Sequence, residues 1–578
     1  RRWSATDEPA HIGVPAMILS KQDREFRLPK ISYVDFKNLD MDRVLTVFFM
    51  RLKHNGFPSR LQRKHQLTVD AFVDTFLEQT EWFVDFAQHR DIVTRWVETD
   101  LMDLVNRGQA NEALAAPRPL HGYTYRFRNT KHARDYNAAQ QLYEMLHGAR
   151  RGVGTSALDQ LHEFFFLGVD KLTSQINFGA DVLDVETQAI LRLPHDAVSD
   201  AADTRPAMRE VYQPLCIGGA DLFAEDVLRL LFYKDFISRT VMIDYIKILF
   251  SFHLALYHLR LFKLLPALMR QQQADPICLD CPMNPRDPDD PHGDCPHRIG
   301  LLIDVAGQPD TPMARLAERS TDSHYRRIPT FIKAYFMTRK LDEFATDLVK
   351  RGKLAKPTNG DFTVGEILAL LQPAYQKERE IYFGQRIYRL QEANNADDES
   401  EVSPDIAAIL EMGLDEFETY IEILVTLRGN FHRRYLVDSL ESMLMKNDPG
   451  ALISSARTRN APRRFTLDSR LLEVLLQIAV LQRGGAQGFY TGEMRIDDLL
   501  AFLRERYGLY IDRLPNGDGF GAPSIEDRKA LRANREAFIA RLREVGFYRD
   551  LSDAYVTQTV TPRYQIDENG KSPNGTPV

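Results

Sequence analysis

The chain has 578 residues, of which 44 % are hydrophobic and 27 % are charged, and this composition excludes a disordered or fibrous protein. Its length exceeds what one hydrophobic core supports, so several domains are expected. The net charge of −7 excludes a uniformly basic surface, so any surface that binds phosphates must be local.

The first two hundred residues carry the patterns of amphipathic helices. In MDRVLTVFFMRL and ALDQLHEFFFLGVDKL the apolar residues recur at intervals of three and four, the period of an α-helix with one buried face. With similar patterns further along, they predict a mainly α, multi-domain protein whose N-terminal helical domain covers residues 1–204. The polar, proline-interrupted start lacks the features of a secretory signal, so a cytoplasmic location is expected.

The most apolar segment is VMIDYIKILFSFHLALYHLRLFKLLPALM. Asp244, Lys247, Arg260 and Lys263 interrupt it, and the uncharged run that remains is shorter than the roughly 20 residues that a membrane-spanning helix needs. We therefore expect a pair of buried helices here and no membrane partner.

Three of the four cysteines lie close together in CLDCPMNPRDPDDPHGDCPHR, which begins at Cys278. A C-x2-C turn points two sulfurs at one place, and Zn²⁺ in structural sites takes four thiolate or imidazole ligands. This pattern predicts a structural zinc site. The expected ligands are Cys278, Cys281, Cys295 and His297, with His292 as the alternative fourth ligand.

An iron–sulfur cluster is the alternative cofactor, because the distant Cys216 would complete a set of four thiolates. A catalytic zinc is disfavoured, since the H-x-E element that precedes P-C-x-x-C in zinc deaminases is missing. The four prolines of the intervening loop prevent a helix, so the metal would replace a core that the loop cannot build. The loop, residues 278–297, belongs to a second helical domain predicted over residues 205–391.

The rest of the chain divides by composition into four predicted parts. These are an acidic linker (392–405), a helical hairpin connector (406–456), a winged-helix domain (457–566) and a disordered tail (567–578). In the third part, TLDSRLLEVLLQIAVLQ, RIDDLLAFLRERYG and SIEDRKALRANREAFIARLREVGF each predict a helix by their caps and periodicity. Alternation at Tyr555, Thr557 and Thr559 then predicts a strand hairpin.

Basic residues exceed acidic ones in the predicted winged helix, although the whole chain is acidic. A winged helix of this charge binds DNA through its third helix and its hairpin, but the same fold also serves as a protein-docking module. The candidate DNA-binding residues are Arg457, Arg459, Arg463, Arg464, Arg528, Lys529, Arg532, Arg535, Arg541 and Arg543.

Several catalytic motifs are missing. The chain has no G-x-x-x-x-G-K-[ST], no G-x-S-x-G and no H-E-x-x-H, so ATP hydrolysis, serine hydrolysis and zincin chemistry have no support. Asp304 follows a predicted strand, but one carboxylate without a basic partner is weak evidence for a nuclease. We expect no catalytic residues and no enzymatic activity.

The segment FRLPKISYVDFKNLDMDRVLTVFF, the cysteine loop and the ending GFYRDLSDAYVTQTVTPRY together resemble accessory proteins of multi-gene bacterial antiphage systems linked to DNA modification. These include methylation-associated and phosphorothioation-dependent restriction systems. The resemblance implies a DNA-binding accessory subunit without catalysis, whose partners are double-stranded DNA and an ATPase and a nuclease encoded nearby. The alternatives are a kleisin-like architectural subunit that docks an SMC-type ATPase through its winged helix and, third, a metal-dependent nuclease built around Asp304 and the cysteine loop.

Overall fold

The structure is a computed structural model, and it describes the chain except for residues 1–18, 64–67, 80, 82, 171–172, 177–182, 194, 196–197, 206–207, 272–277, 279, 288–289, 358–359, 396–403, 456–461, 549–558 and 572–578. Helices dominate these residues, which confirms the prediction of a mainly α protein.

The helices are α1 (Lys21–Arg24), α2 (Met41–Lys53), α3 (Val69–Glu78), α4 (Arg90–Trp96), α5 (Ala138–Gly148), α6 (Val153–Phe165), α7 (Val185–Leu191), α8 (Ile217–Leu231), α9 (Arg239–Gln271), α10 (Pro312–Tyr325), α11 (Ile328–Lys350), α12 (Val364–Ala369), α13 (Gln376–Asn395), α14 (Pro404–Glu411), α15 (Glu416–Met443), α16 (Ser469–Ala479), α17 (Ile496–Phe502) and α18 (Ile525–Glu544). The strands are β1 (Ser59–Arg63), β2 (Met102–Val105), β3 (Ala113–Pro117), β4 (Val198–Ala202), β5 (Leu301–Leu302), β6 (Ile453–Ser455), β7 (Arg463–Phe465), β8 (Leu481–Arg483), β9 (Phe489–Thr491), β10 (Met494–Arg495), β11 (Leu509–Tyr510) and β12 (Thr559–Val560).

Two compact units are built from interleaved segments of the chain. The first unit consists of Arg1–Leu28, Phe262–Leu279 and Arg326–Val437, and the second of Pro29–Leu261, Asp280–Tyr325 and Asp438–Val578. Each unit therefore combines segments that are far apart in sequence. The domain boundaries predicted from composition stay predictions.

The first unit packs aromatic side chains between its helices. Phe331 and Phe344 of α11 are fully buried, as are Phe383 of α13 and Tyr420 of α15. The Tyr335 hydroxyl accepts a hydrogen bond of 3.0 Å from the backbone N–H of Leu28, which ties the N-terminal segment to α11. The described core of this unit is thus formed by helices together with the N-terminal segment that contains Leu28.

The twelve strands of the described residues all lie in the second unit and pair two by two. The pairs β1–β4, β2–β3, β6–β7, β8–β9 and β10–β12 are antiparallel, whereas β5 and β11 are parallel. The β5–β11 pair joins Leu301 to Leu509 and thus fixes the segment after the cysteine loop to the C-terminal helices.

The apolar segment forms one helix of 33 residues, α9, so the expectation of two helices is wrong. No glycine interrupts the segment, and a proline within a helix does not by itself make a turn. By length and composition α9 is the one helix in the described residues that could cross a membrane, and 94 % of its most apolar window is buried.

The three helices predicted near the C-terminus are confirmed as α16, α17 and α18. The side chain of Asp468 caps α16, and Ser524 and Asp527 form the predicted capping box of α18. One turn of π-helix extends α17 to Gly508, whose φ of 76° ends the helix in the left-handed conformation. Local sequence signals thus fix the ends of these helices.

Short strands also pair in this C-terminal region. Val560 of β12 pairs with Met494 of β10 and, on its other side, forms a bridge to Tyr548. Residues 549–558, which include most of the predicted hairpin, lie outside the described part of the chain. The described residues on either side of them run antiparallel.

Candidate metal centre and nucleic-acid interface

The cysteine loop of the second unit is held by two arginines from other segments. Arg150 donates hydrogen bonds to the carbonyl oxygens of Cys281, at 2.9 Å, and Met283, at 2.8 Å. Arg506 donates to the carbonyl oxygen of Pro285 at 2.7 Å. These bonds satisfy backbone groups that a proline-rich loop cannot pair within itself.

Three sulfurs of the second unit lie close enough for their charges to interact. The pKa of Cys216 is raised to about 11, mainly by burial; the charge of Arg260 opposes this rise, and neighbouring Cys295 and Cys281 add to it. Burial likewise raises the pKa of Cys295. All four cysteines are free thiols. The structure thus places Cys216, which immediately precedes α8, beside the loop cysteines.

The two histidines of the loop are buried, with His292 4 % and His297 6 % exposed. Burial, followed by the charges of Arg260, Arg298 and Arg506, lowers the pKa of His292 to about 2. A neutral imidazole is the form that binds a metal. The lowered pKa of His292 therefore favours the neutral form that a metal ligand needs.

Cys278 belongs to the first unit, unlike the other candidate ligands. Within the described residues no group of three or more His, Cys, Asp or Glu side chains is arranged as a metal site. The predicted ligand set thus stays a prediction. In the sequence, only the scarcity of cysteine marks Cys216 as a possible neighbour of the loop cysteines.

The predicted DNA-binding residues of α18 differ in their surroundings. Arg528, Lys529 and Arg532 are exposed and, at positions i, i+1 and i+4, share one face of the helix. By contrast, Arg535 forms an ion pair of 2.7 Å with Asp497, and Arg541 one of 3.1 Å with Glu544. Arg543 is exposed and lies over the ring of Tyr548.

The arginines expected to form a basic arm have structural partners where they are described. Arg463 forms an ion pair with Glu441, and Arg464 lies 3.5 Å from a carboxylate oxygen of Asp304. Arg457 and Arg459 lie outside the described residues. The described half of the arm is therefore a strand of the second unit, β7, with its charges directed at neighbouring carboxylates.

Asp304, the residue of the nuclease hypothesis, is 1 % exposed. Its carboxylate accepts a hydrogen bond of 3.0 Å from the backbone N–H of Gly307 and faces Arg464. Burial raises its pKa. These contacts are typical of a carboxylate that stabilises a turn.

Sequence reasoning missed a buried charge network between α8, α9 and the π-helical turn after α17. The carboxylate of Asp226 is fully buried and accepts hydrogen bonds from Arg506, His253 and the Tyr507 hydroxyl. Burial raises the pKa of Asp226, but the charge of Arg506 and the hydrogen bond from His253 outweigh it and hold the pKa at about 2. Nothing in the local sequence marks these residues as partners.

A polar cleft of about 1210 Å³ opens in the second unit between residues 38–43, 131–136, 244–248 and 438–449. Its charges neutralise one another: Lys247 contacts Asp42 at 2.7 Å, and Lys446 contacts Glu441 at 2.7 Å. The cleft therefore favours no particular charge in a ligand.

The comparisons with known proteins give one match. The model of the family described as methylation-associated defense system protein MAD7 matches residues 21–564, which span both compact units. No curated protein and no solved structure is similar enough to match. The resemblance to methylation-associated defence proteins is thereby confirmed, and the chain belongs to the MAD7 family of methylation-associated defense system proteins.

Proposed function

We propose that this component of a methylation-associated defence system is a non-catalytic accessory subunit that binds double-stranded DNA through α18. The observation that carries the proposal is the exposed basic face of α18, formed by Arg528, Lys529 and Arg532, and the winged helix around it is part of the proposal. Its proposed place of action is the cytoplasm, beside an ATPase and a nuclease of the same system.

The order of elements supports a winged helix. Along the chain come α16, the β8–β9 hairpin, β10, α17, β11, α18, Tyr548 and β12. In the sheet β12 lies between β10 and Tyr548, while β11 pairs with β5 outside it. A helix–strand–helix–helix–strand–strand order, with the last strand in the middle, is the arrangement in which the third helix is offered to a DNA groove and the hairpin to the flanking backbone.

Helix α18 has one buried apolar face and one exposed basic face. Leu531, Asn534 and Phe538 are buried in the interior of the second unit, and the face with Arg528, Lys529 and Arg532 is exposed to the solvent. Phosphate contacts by such side chains dominate the affinity for DNA and make it depend on salt. This face is therefore the proposed contact with the DNA backbone.

One observation favours protein docking, the alternative that a kleisin-like subunit would use. Arg535 and Arg541 have carboxylate partners within the chain, and Arg532 lies 3.4 Å from Glu536. These carboxylates lower the positive potential that DNA requires. A docking module would bind a partner subunit, such as an SMC-type ATPase, and would not bind DNA.

The test measures binding of the full chain to a duplex by fluorescence anisotropy over a series of salt concentrations. Replacing Arg528, Lys529 and Arg532 with alanine is expected to weaken binding and to lower the slope of log affinity against log salt by about 0.9 for each lost phosphate contact. The phosphate-contact proposal fails if the wild-type chain does not bind duplex DNA at low salt. Failure of binding together with capture of a partner subunit would favour docking.

A matched control removes the same number of positive charges from the other compact unit. Lys350, Lys353 and Lys356 are exposed residues of the first unit, and their replacement with alanine is expected to leave the salt slope unchanged. Equal losses in both triple variants would show that α18 has no special role in DNA binding.

A further inference from the structure

We propose that a basic cleft in the first unit binds the diphosphate group of a small molecule, either a nucleoside diphosphate or free pyrophosphate. The cleft opens between α11 and α13, beside α1, and has a volume of about 400 Å³. Cavities of this size hold small-molecule ligands in many proteins. The cleft and α18 belong to different compact units, and the inference does not depend on DNA binding by α18.

Two helices line the cleft with one face each. Residues 339, 343, 346, 347 and 350 come from α11, and residues 382, 385, 386 and 389 come from α13. Apart from the adjacent pair 346 and 347, these positions recur at intervals of three or four, which places side chains on one face of a helix. The geometry of two regular helices therefore holds these side chains around one cavity.

The lining of the cleft is mainly basic. Five of its eleven residues are basic and two are acidic. The basic residues are Arg339, Lys350, Arg351, Arg386 and Arg389, and the acidic ones are Glu343 and Asp347. The larger cleft of the second unit, by contrast, is lined by six residues of each sign. A concave surface that is dominated by one sign of charge concentrates ligands of the opposite sign, so the cleft of the first unit favours an anion.

Both carboxylates of the lining are already engaged by cations of the chain. Glu343 forms ion pairs of 3.0 Å with Lys340 and 3.3 Å with Arg386. Asp347 forms one of 2.8 Å with Arg351. These pairs hold the side chains of Arg386 and Arg351 in place, and they leave the excess of positive charge to the remaining residues of the lining.

Lys350 and Arg389 carry that excess. Both side chains are exposed, and no described residue forms an ion pair with either of them. Lys350 ends α11, where a positive charge also offsets the helix dipole, but Arg389 lies six residues before the end of α13 and has no such role. Arg339 adds a buried Nε atom that has no hydrogen-bond partner. The cleft thus combines unpaired positive charge with an unused donor, which an anion would satisfy.

The chemistry of the lining favours a phosphate chain over a base. The planar fork of an arginine matches the oxygens of a phosphate group and binds two of them at once, and several arginines in one cleft suit more than one phosphate group. Among the described residues of the lining the one aromatic ring is that of Tyr382, which is 8 % exposed. Its hydroxyl accepts a hydrogen bond of 2.6 Å from Arg386. A buried ring gives a base no face for stacking, so the diphosphate is the group that the cleft recognises.

The first experiment titrates pyrophosphate into the full-length chain by isothermal calorimetry, in buffer without divalent cations. The wild type is expected to bind it, and Lys350→Ala/Arg389→Ala to bind it about a hundredfold more weakly, which is about tenfold for each lost contact. Both side chains are exposed and unpaired, so the variant is expected to melt at the temperature of the wild type. The matched control is Lys353→Ala/Lys356→Ala, which removes two exposed charges of the same unit from outside the cleft and is expected to keep the affinity.

Two further ligands distinguish the sources of the diphosphate group. Adenosine diphosphate carries the group on a nucleoside, whereas adenosine lacks it and is expected not to bind. Binding of adenosine diphosphate at least as tight as that of pyrophosphate would support a nucleotide ligand. Binding of pyrophosphate alone would support the free anion, and in both cases the diphosphate is the group bound.

Four outcomes would overturn the proposal. A wild-type chain that binds neither pyrophosphate nor adenosine diphosphate at millimolar concentration would remove the site. Equal affinities in Lys350→Ala/Arg389→Ala and in its control would place the binding elsewhere on the chain. Binding of adenosine would show recognition of the nucleoside, and displacement of pyrophosphate by duplex DNA would make the cleft part of a nucleic-acid interface.

Discussion

Replacing Arg506 with methionine is expected to destabilise the second unit more than any loss of a surface charge. Arg506 is 3 % exposed and Asp226 is fully buried. The guanidinium donates to Asp226 through Nε at 3.0 Å and also through Nη2. Methionine keeps much of the volume of the side chain but leaves the buried carboxylate without its cation.

The expected loss follows from these contacts. Removing one partner of a buried ion pair costs about 3–5 kcal/mol, because the remaining charge stays desolvated. The bond from Arg506 to the carbonyl of Pro285 adds about 1 kcal/mol. With about 2.1 cal/mol/K of unfolding entropy per residue in a unit of this size, the total corresponds to a fall in melting temperature of roughly 5–7 °C.

The assay is thermal unfolding of the full-length chain by calorimetry. The control is Arg532→Ala, because Arg532 and Glu536 form an ion pair of 3.4 Å with side chains 85 % and 68 % exposed, and an exposed helix pair contributes less than about 0.5 kcal/mol. The double variant Asp226→Leu/Arg506→Met removes both charges and is expected to recover part of the loss. Equal melting temperatures for Arg506→Met and Arg532→Ala would refute the reasoning, as would a double variant no more stable than the single one.

The same pair predicts a dependence on pH. The pKa of Asp226 is about 2, below its ordinary value of 3.8, so the folded state favours the ionised carboxylate. The stabilisation is therefore fully present above pH 3.8 and is lost as the pH falls through about 2. Without Arg506, burial raises the pKa of Asp226. The difference in melting temperature between the wild type and Arg506→Met should therefore be constant above that raised pKa and should narrow as the pH falls from it towards about 2.

Two further substitutions test the junction of α18 and β11 with the rest of the second unit, each by thermal unfolding. Gly508→Ala is expected to lower the free energy of unfolding by about 1–3 kcal/mol more than Gly108→Ala. Both glycines have positive φ, but a Cβ at Gly508 would lie 2.0 Å from the Ile299 carbonyl oxygen, whereas a Cβ at Gly108 would have no neighbour within 4 Å. Equal losses in the two variants would contradict this. Asn534→Asp is expected to lower the free energy of unfolding by about 2–4 kcal/mol. The buried amide donates to two backbone carbonyl oxygens at 2.8 and 2.9 Å, and a carboxylate cannot donate. A loss of stability below about 1 kcal/mol would show that these hydrogen bonds are replaceable.

Local sequence signals were sufficient for the helices of the C-terminal region. The caps at Asp468 and Ser524 and the stop at Gly508 lie where the sequence predicts them, because capping depends on contacts within a few residues. The same logic failed for the long apolar segment, where a single helix replaces the expected pair. Apolar periodicity indicates burial, but it does not say where a helix is interrupted.

The candidate sites show the same division. The sequence by itself determined that the chain is mainly α, where its terminal helices begin and end, and which cysteines and arginines are candidates for metal and DNA. Only the tertiary structure decided that Cys216 lies beside the loop cysteines, that Arg535 is paired with Asp497 and that Arg506 holds Asp226. These contacts join residues between 38 and 280 positions apart, and periodicity carries no information about partners at such distances, since they are set by how the helices pack.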